Sequence, residues 1–161
     1  MLSDSTYGAH CHVSWQSRYI ASANQPILAD PVILAIFASR LLNGHRPMIF
    51  EDGEQRRDFV HVRDVARANV LALSAPEAVP GALNVASGTP RSIGEMASAL
   101  HAASTAGAPA PLTTGEYRLG DVRHVFAGAD LAAERLGFRA QEPFRAGMAE
   151  FAAAALRAPP R

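Results

Sequence analysis

The chain has 161 residues, enough for one domain and short for two. Its 48% apolar and 19% charged residues make a globular composition. Fifteen acidic side chains balance fifteen basic ones, which excludes a global field suited to nucleic acid or an anionic membrane. All fifteen basic residues are Arg. With no Lys, these residues cannot supply a Schiff base, a Walker-type P-loop or a Tyr-x-x-x-Lys dyad. The single Cys11 excludes an internal disulfide framework and a thiolate zinc cluster. Met1 to His12 has neither the basic start nor the apolar centre of a signal peptide, so the expected location is the cytoplasm.

Residues 1–30 are weakly patterned and read as an irregular junction or the remnant of a preceding domain, with Arg18 to Ala23 as one short strand candidate. His10-Cys11-His12 sets two imidazoles on one face of an extended segment. No spaced partner accompanies them, and no metal is expected. From Pro31 the pattern sharpens. Asp30 is a good N-cap, Pro31 suits the first helical position, and Val32, Ile33, Ile36, Phe37, Leu41 and Leu42 follow at helical spacing to a stop at Asn43-Gly44. Pro47 to Phe50 reads as a strand, Glu51-Asp52-Gly53 as a turn, and Arg57 to Val62 as another strand. A helix over about Arg63 to Ser74 carries Val65, Ala68, Val70, Leu71 and Leu73 on its apolar side, with Asp64 in its first turn.

Ala82 to Ala86 reads as a brief strand. Ser92 and Glu95 form a capping box for a helix with Ile93, Met96, Ala97 and Leu100 on its apolar face. Thr105 to Pro111 reads as a surface loop, Asp130 as the cap of a short helix ending near Leu136-Gly137, and Pro143 as the opening of a last helix to Leu156. Strands alternate with helices, so the class is α/β with some parallel pairing.

Two segments carry chemistry. In Glu51 to Ala66, a turn feeds Arg57 into a strand start, and Arg is suited to bidentate recognition of phosphate. An ordinary ion pair of Arg57 with Asp58 or Asp64 is the plainer alternative. In Tyr117-Arg118-Leu119-Gly120-Asp121-Val122-Arg123-His124, a cation and a carboxylate three residues apart can meet a diphosphate and ribose hydroxyls from one loop. A solvated charged loop is the alternative there.

These segments, with Ile36 to Gly44 and Asn84-Val85-Ala86-Ser87-Gly88, resemble the C-terminal part of extended short-chain dehydrogenases in order and spacing. That family comprises the NAD-dependent nucleotide-sugar epimerases and dehydratases, and the likeness is nearest its UDP-glucose 4-epimerase and dTDP-L-rhamnose 4-epimerase groups. It covers about Pro31 to Leu156. It implies a small, incomplete α/β substrate-binding domain over residues 31–157, few short strands with four to five helices, then a disordered tail at 158–161. It also implies Arg57 and Arg118 on the diphosphate of a UDP- or dTDP-sugar, Asp121 on the ribose and Phe50 beside the base. Asn84 is given a structural role, and His61 that of a strand-end histidine rather than a catalyst. Where the family has an Asp, this chain has Gly128, and Asp130 is expected to supply the cap.

The family's NAD site rests on a Gly-rich turn, and its catalysis on a Tyr-x-x-x-Lys pair. Neither motif occurs in the 161 residues, although Ser3 to Gly8 is weakly similar to the segment that holds the family's catalytic Ser/Thr. The resemblance therefore implies NAD in the complete family enzyme, no NAD on this chain alone, no catalytic residue here, and a Rossmann part lying elsewhere. The expected function is that of a nucleotide-sugar 4-epimerase fragment that binds the diphosphate. The alternatives are a non-catalytic truncated product, a binding module, and half of a split 4,6-dehydratase whose partner is a separate dinucleotide-binding chain. Exposed strand edges at Arg57 to Val62 and Ala82 to Ala86 predict association.

Overall fold

The computed structural model describes residues 12–13, 31–117, 119 and 121–154. The strand candidate at Arg18 to Ala23, the Asp30 cap, His10-Cys11 and the tail lie outside them.

The first helix, α1 (Pro31–Leu42), buries Leu34, Phe37, Ala38 and Leu41. This i, i+3, i+4, i+7 stripe is rotated from the expected one, because Ile36 and Leu42 are half or more exposed. Gly44 ends the helix at φ 70°, as Asn43-Gly44 predicts. The helix α2 (Val62–Leu73) buries Asp64 and Ala68 and half-buries Val65 and Leu71. Val70 and Leu73 face outward, contrary to the expected apolar side.

The helix α3 (Ile93–Ala103) follows its sequence pattern fully. Ser92 Oγ accepts from the Glu95 N–H at 3.1 Å, and the Glu95 carboxylate accepts from the Ser92 N–H at 2.8 Å. Ile93, Met96, Ala97 and Leu100 are all buried. A short α4 (Asp130–Leu136) begins with Ala129 at the cap and no side-chain capping bond. Asp130 is thus the first helical residue and not the cap, placing its carboxylate in the favourable N-terminal field. Gly137, at φ 65°, closes that helix. The last helix, α5 (Phe144–Ala153), starts directly after Pro143.

The strands are two-residue ladders: β1 (His12–Val13), β2 (Met48–Ile49), β3 (Arg56–Arg57), β4 (Ala82–Leu83), β5 (Arg91–Ser92), β6 (Leu112–Thr113) and β7 (His124–Val125). β1 pairs with β4 and β2 with β6, both parallel. β3 lies between antiparallel β5 and parallel β7. The expected strand Arg57 to Val62 is therefore shorter, and β3 has no open edge. Beyond Arg57 the backbone leaves the ladder and His61 caps α2. The Ala82 to Ala86 strand is likewise only β4. The short strands and five helices are those of a partial α/β fold.

Two apolar clusters hold the elements. α1, α3 and α5 pack Leu34, Phe37, Leu41, Met96, Leu100, Met148 and Phe151 around Ile49 and Phe59. Ala68, Leu83, Ala132 and Phe138 form the second under α2 and α4. Each fully buried large side chain contributes about 1.5–3 kcal/mol against the ordering of the chain.

Candidate functional site

The β3–β7 pairing brings the two chemistry-bearing segments into contact. Arg57 Nη1 donates to the Arg123 carbonyl and Nη2 to the Val122 carbonyl, each at 2.9 Å. Nη1 also donates to the Arg56 carbonyl at 2.9 Å. The Arg56 N–H donates to His124 Nδ1 at 3.3 Å. The guanidinium of Arg57 thus grips the backbone immediately after Asp121.

The turn after Phe50 reaches the same segment. Glu51 is left-handed at φ 50°, and its N–H donates to the Glu116 carbonyl at 2.6 Å. Its carboxylate accepts from Arg123 Nη1 at 2.7 Å, while Asp52 accepts from Arg123 Nη2 at 2.5 Å. This hydrogen bond, aided by the Glu54 N–H, holds the Asp52 carboxyl below the usual carboxylate range. Asp52 in turn raises the Arg123 guanidinium. Gly53 completes the turn at φ 79°, and its carbonyl accepts from the Gly94 N–H at 2.9 Å. A side chain is disfavoured there, since a Cβ would stand 3.0 Å from Ile49 Cγ2. Phe50 itself is half-buried, and its carbonyl accepts from Gln55 Nε2 at 3.0 Å.

Of the four expected site residues, Arg57 and Asp121 are thus on touching segments, and Phe50 lies at the head of the turn clasped to them. Arg118 lies outside the described residues. Asp121 is exposed, with Tyr117 at 72% and Leu119 at 96% exposure beside it. Asp58 and Asp64, the alternative partners for Arg57, both accept backbone N–H groups. Both Asp58 oxygens face the Ser87 N–H, at 3.0 and 3.1 Å, and burial pushes that carboxyl up. Asp64 is 1% exposed and accepts from Gln141 N and Glu142 N at 3.0 Å and from Arg67 at 2.7 Å.

His61 is a helix cap, not a strand-end residue: its Nδ1 accepts from the Arg63 N–H at 3.2 Å, and its buried Nε2 stands 3.5 Å from Glu150. Arg63 bridges Glu142 and Glu150, which lowers both carboxyls. Sequence reading gave Arg123 no role. Its signal was the acidic pair Glu51-Asp52 after Phe50, whose partner lies some seventy residues away.

Three of the described helix N-termini, those of α2, α3 and α4, are poorly suited to a pyrophosphate. The starts of α2 and α3 already carry the side-chain caps of His61 and Ser92, and α2, α3 and α4 place Asp64, Glu95 and Asp130 in their first turns. Those carboxylates oppose a pyrophosphate. Among the described residues, no group of three His, Cys, Asp or Glu side chains is set to hold a metal ion. No described helix is long and apolar enough to cross a membrane.

Comparison with known proteins gives the family context of this fold. Residues 20–86 match the model of the NAD dependent epimerase/dehydratase family. The dTDP-L-rhamnose 4-epimerase of Burkholderia thailandensis is 35% identical over 119 residues, 73% of this chain and 32% of that protein. The UDP-glucose 4-epimerase of Mycolicibacterium smegmatis is 36% identical over 118 residues, 73% of this chain and 37% of that protein. The solved structure of MoeE5 with UDP-glucuronic acid and NAD superposes with a TM-score of 0.63 at 34% identity, over 74% of this chain and 39% of that one. The chain spans about a third of the length of these curated relatives. By sequence and by fold, the chain is related to the NAD-dependent epimerase/dehydratase family and covers a part of that family's fold.

Proposed function

We propose that this chain supplies the nucleotide-sugar clamp of a 4-epimerase-type enzyme, binding the diphosphate of a UDP- or dTDP-sugar. Arg57 and Arg118 face the diphosphate, Asp121 takes the ribose hydroxyls, and Phe50 packs beside the base. The observation that carries the reading is the grip of Arg57 on the Val122 and Arg123 carbonyls, which seats a cationic strand against the Asp121 segment. The MoeE5 structure, which holds a UDP-sugar, supports it by similarity. In such a clamp these side chains fix the sugar in register and move no proton themselves. When bound elsewhere in a complete enzyme, NAD would supply transient hydride acceptance from the sugar. The 161 residues contain no Lys to sit beside a catalytic Tyr.

Isothermal titration with UDP and dTDP tests the reading. Saturable heat is expected, with Arg57→Ala weakening UDP roughly tenfold or more through loss of a charge-assisted contact. No heat from the native chain at millimolar nucleotide sinks the proposal.

A further inference from the structure

The clamp residues sit on two segments far apart in sequence, and one side chain joins them. Arg123 spans both carboxylates of the Glu51-Asp52 turn, at 2.7 and 2.5 Å. Glu51 lies next to Phe50, and Arg123 lies two residues after Asp121. The backbone is already tied around this pair. The Glu51 N–H reaches Glu116, where the chain leaves the sheet, and Arg57 holds Val122 and Arg123, where it returns. Between the two ties the described residues Tyr117, Leu119 and Asp121 are exposed, Leu119 almost wholly so. Backbone bonds fix the feet of this loop, but they do not set its angle to the turn. A planar guanidinium facing two carboxylates does, because its donors are rigidly arranged.

We infer that Arg123 is a positioning residue for nucleotide-sugar binding: its clasp on Glu51 and Asp52 fixes the separation between the base-side Phe50 and the ribose-side Asp121. The inference rests on the proposed clamp. Arg123 touches no ligand in this role. It acts by presetting the distance between two contacts, so that binding need not order the loop. Lys in its place has one compact ammonium and cannot face both carboxylates in one plane.

The test uses the full chain, UDP as probe, and three variants: Arg123→Gln, Arg123→Lys, and the charge-reversed pair Asp52→Arg with Arg123→Glu. Titration calorimetry and thermal melts are read on each. For Arg123→Gln, UDP affinity is expected to fall roughly fivefold, with a smaller loss for Arg123→Lys. The melting midpoint should hold within about 2 °C, since Arg123 and Asp52 are exposed and Glu51 is only part-buried. The reversed pair restores only the contact at position 52 and leaves Glu51 without its cation, so it should recover part of the affinity. The affinity loss without a matching loss of melting midpoint is what a merely structural residue would not show. Arg123→Gln binding UDP as tightly as the native chain overturns the inference and leaves the clamp standing. Parallel losses of affinity and melting midpoint in all three variants also overturn it. A native chain that binds no UDP overturns the clamp, and this inference with it.

Discussion

Gly53 and Gly44 are both left-handed, yet only one is crowded. A methyl at Gly53 would meet Ile49 Cγ2 at 3.0 Å, whereas nothing lies within 4 Å of one at Gly44. Gly44→Ala should therefore cost only the backbone penalty, about 1 kcal/mol. Gly53→Ala adds the clash and should cost about 2–3 kcal/mol. Paired denaturant titrations check this, and equal losses would show that the Ile49 contact does not matter. Asp64 is a second sensitive residue. Asp64→Ala leaves the Gln141 and Glu142 N–H groups and Arg67 without their acceptor, a loss of about 3 kcal/mol in the same assay. An undiminished midpoint would mean that water replaces the carboxylate without loss.

Among the elements, α3 depends on its cap, and Ser92→Ala should lower stability by about 1 kcal/mol. The junction of α2 and α5 sets the response to acid. Arg63 lowers the Glu142 and Glu150 carboxyls from 4.5, and Asp52 and Glu95 are lowered as well. A lowered carboxyl stabilises the fold above its unfolded value and loses that contribution as pH falls through the folded one. Asp58, raised by burial, acts oppositely: its contribution is present at low pH and is lost as pH rises through its folded value. The lowered carboxyls make the melting midpoint drop below about pH 4.5, and the double variant Glu142→Gln, Glu150→Gln should shallow that fall. An unchanged slope in the double variant would mean that Arg63 does not set the acid response.

How much the sequence revealed divides along the same line. The α3 box was legible because Ser92 and Glu95 are three residues apart and need nothing else. The α/β class followed from alternation, and the end of α1 from Asn43-Gly44. Strand lengths were not legible, because β3 and β4 end where partners end, not where apolar residues do. Ile36 misled because α1 offers apolar residues on most sides, and Val70 and Leu73 because the buried face of α2 is built on Asp64 and the small Ala68. At the site, Arg57, Arg118, Asp121 and Phe50 were named through a family likeness, whereas Arg123 needed the β3–β7 register.

At the scale of the molecule, apolar surface is left uncovered: Leu73 and Leu119 are 86% and 96% exposed, with Tyr117, Val122 and Phe126 near the latter. Such surface favours association. Among the described residues, β4 adds a ladder paired on one side only, by β1. Light scattering across a concentration series should show mass rising above that of one chain. A monodisperse monomer with a single cooperative melt would refute this.

The clasp has one more consequence, in the order of folding. Every bond that closes it spans 65 to 72 residues, from Arg57 to Val122 and from Arg123 to Glu51. Contacts of such separation repay their loop-closure entropy only after the intervening chain has condensed. The segment between them contains α2 and α3, whose own helical hydrogen bonds are local. The clamp is therefore among the last parts to form on refolding, and its amides should gain exchange protection after those of α3.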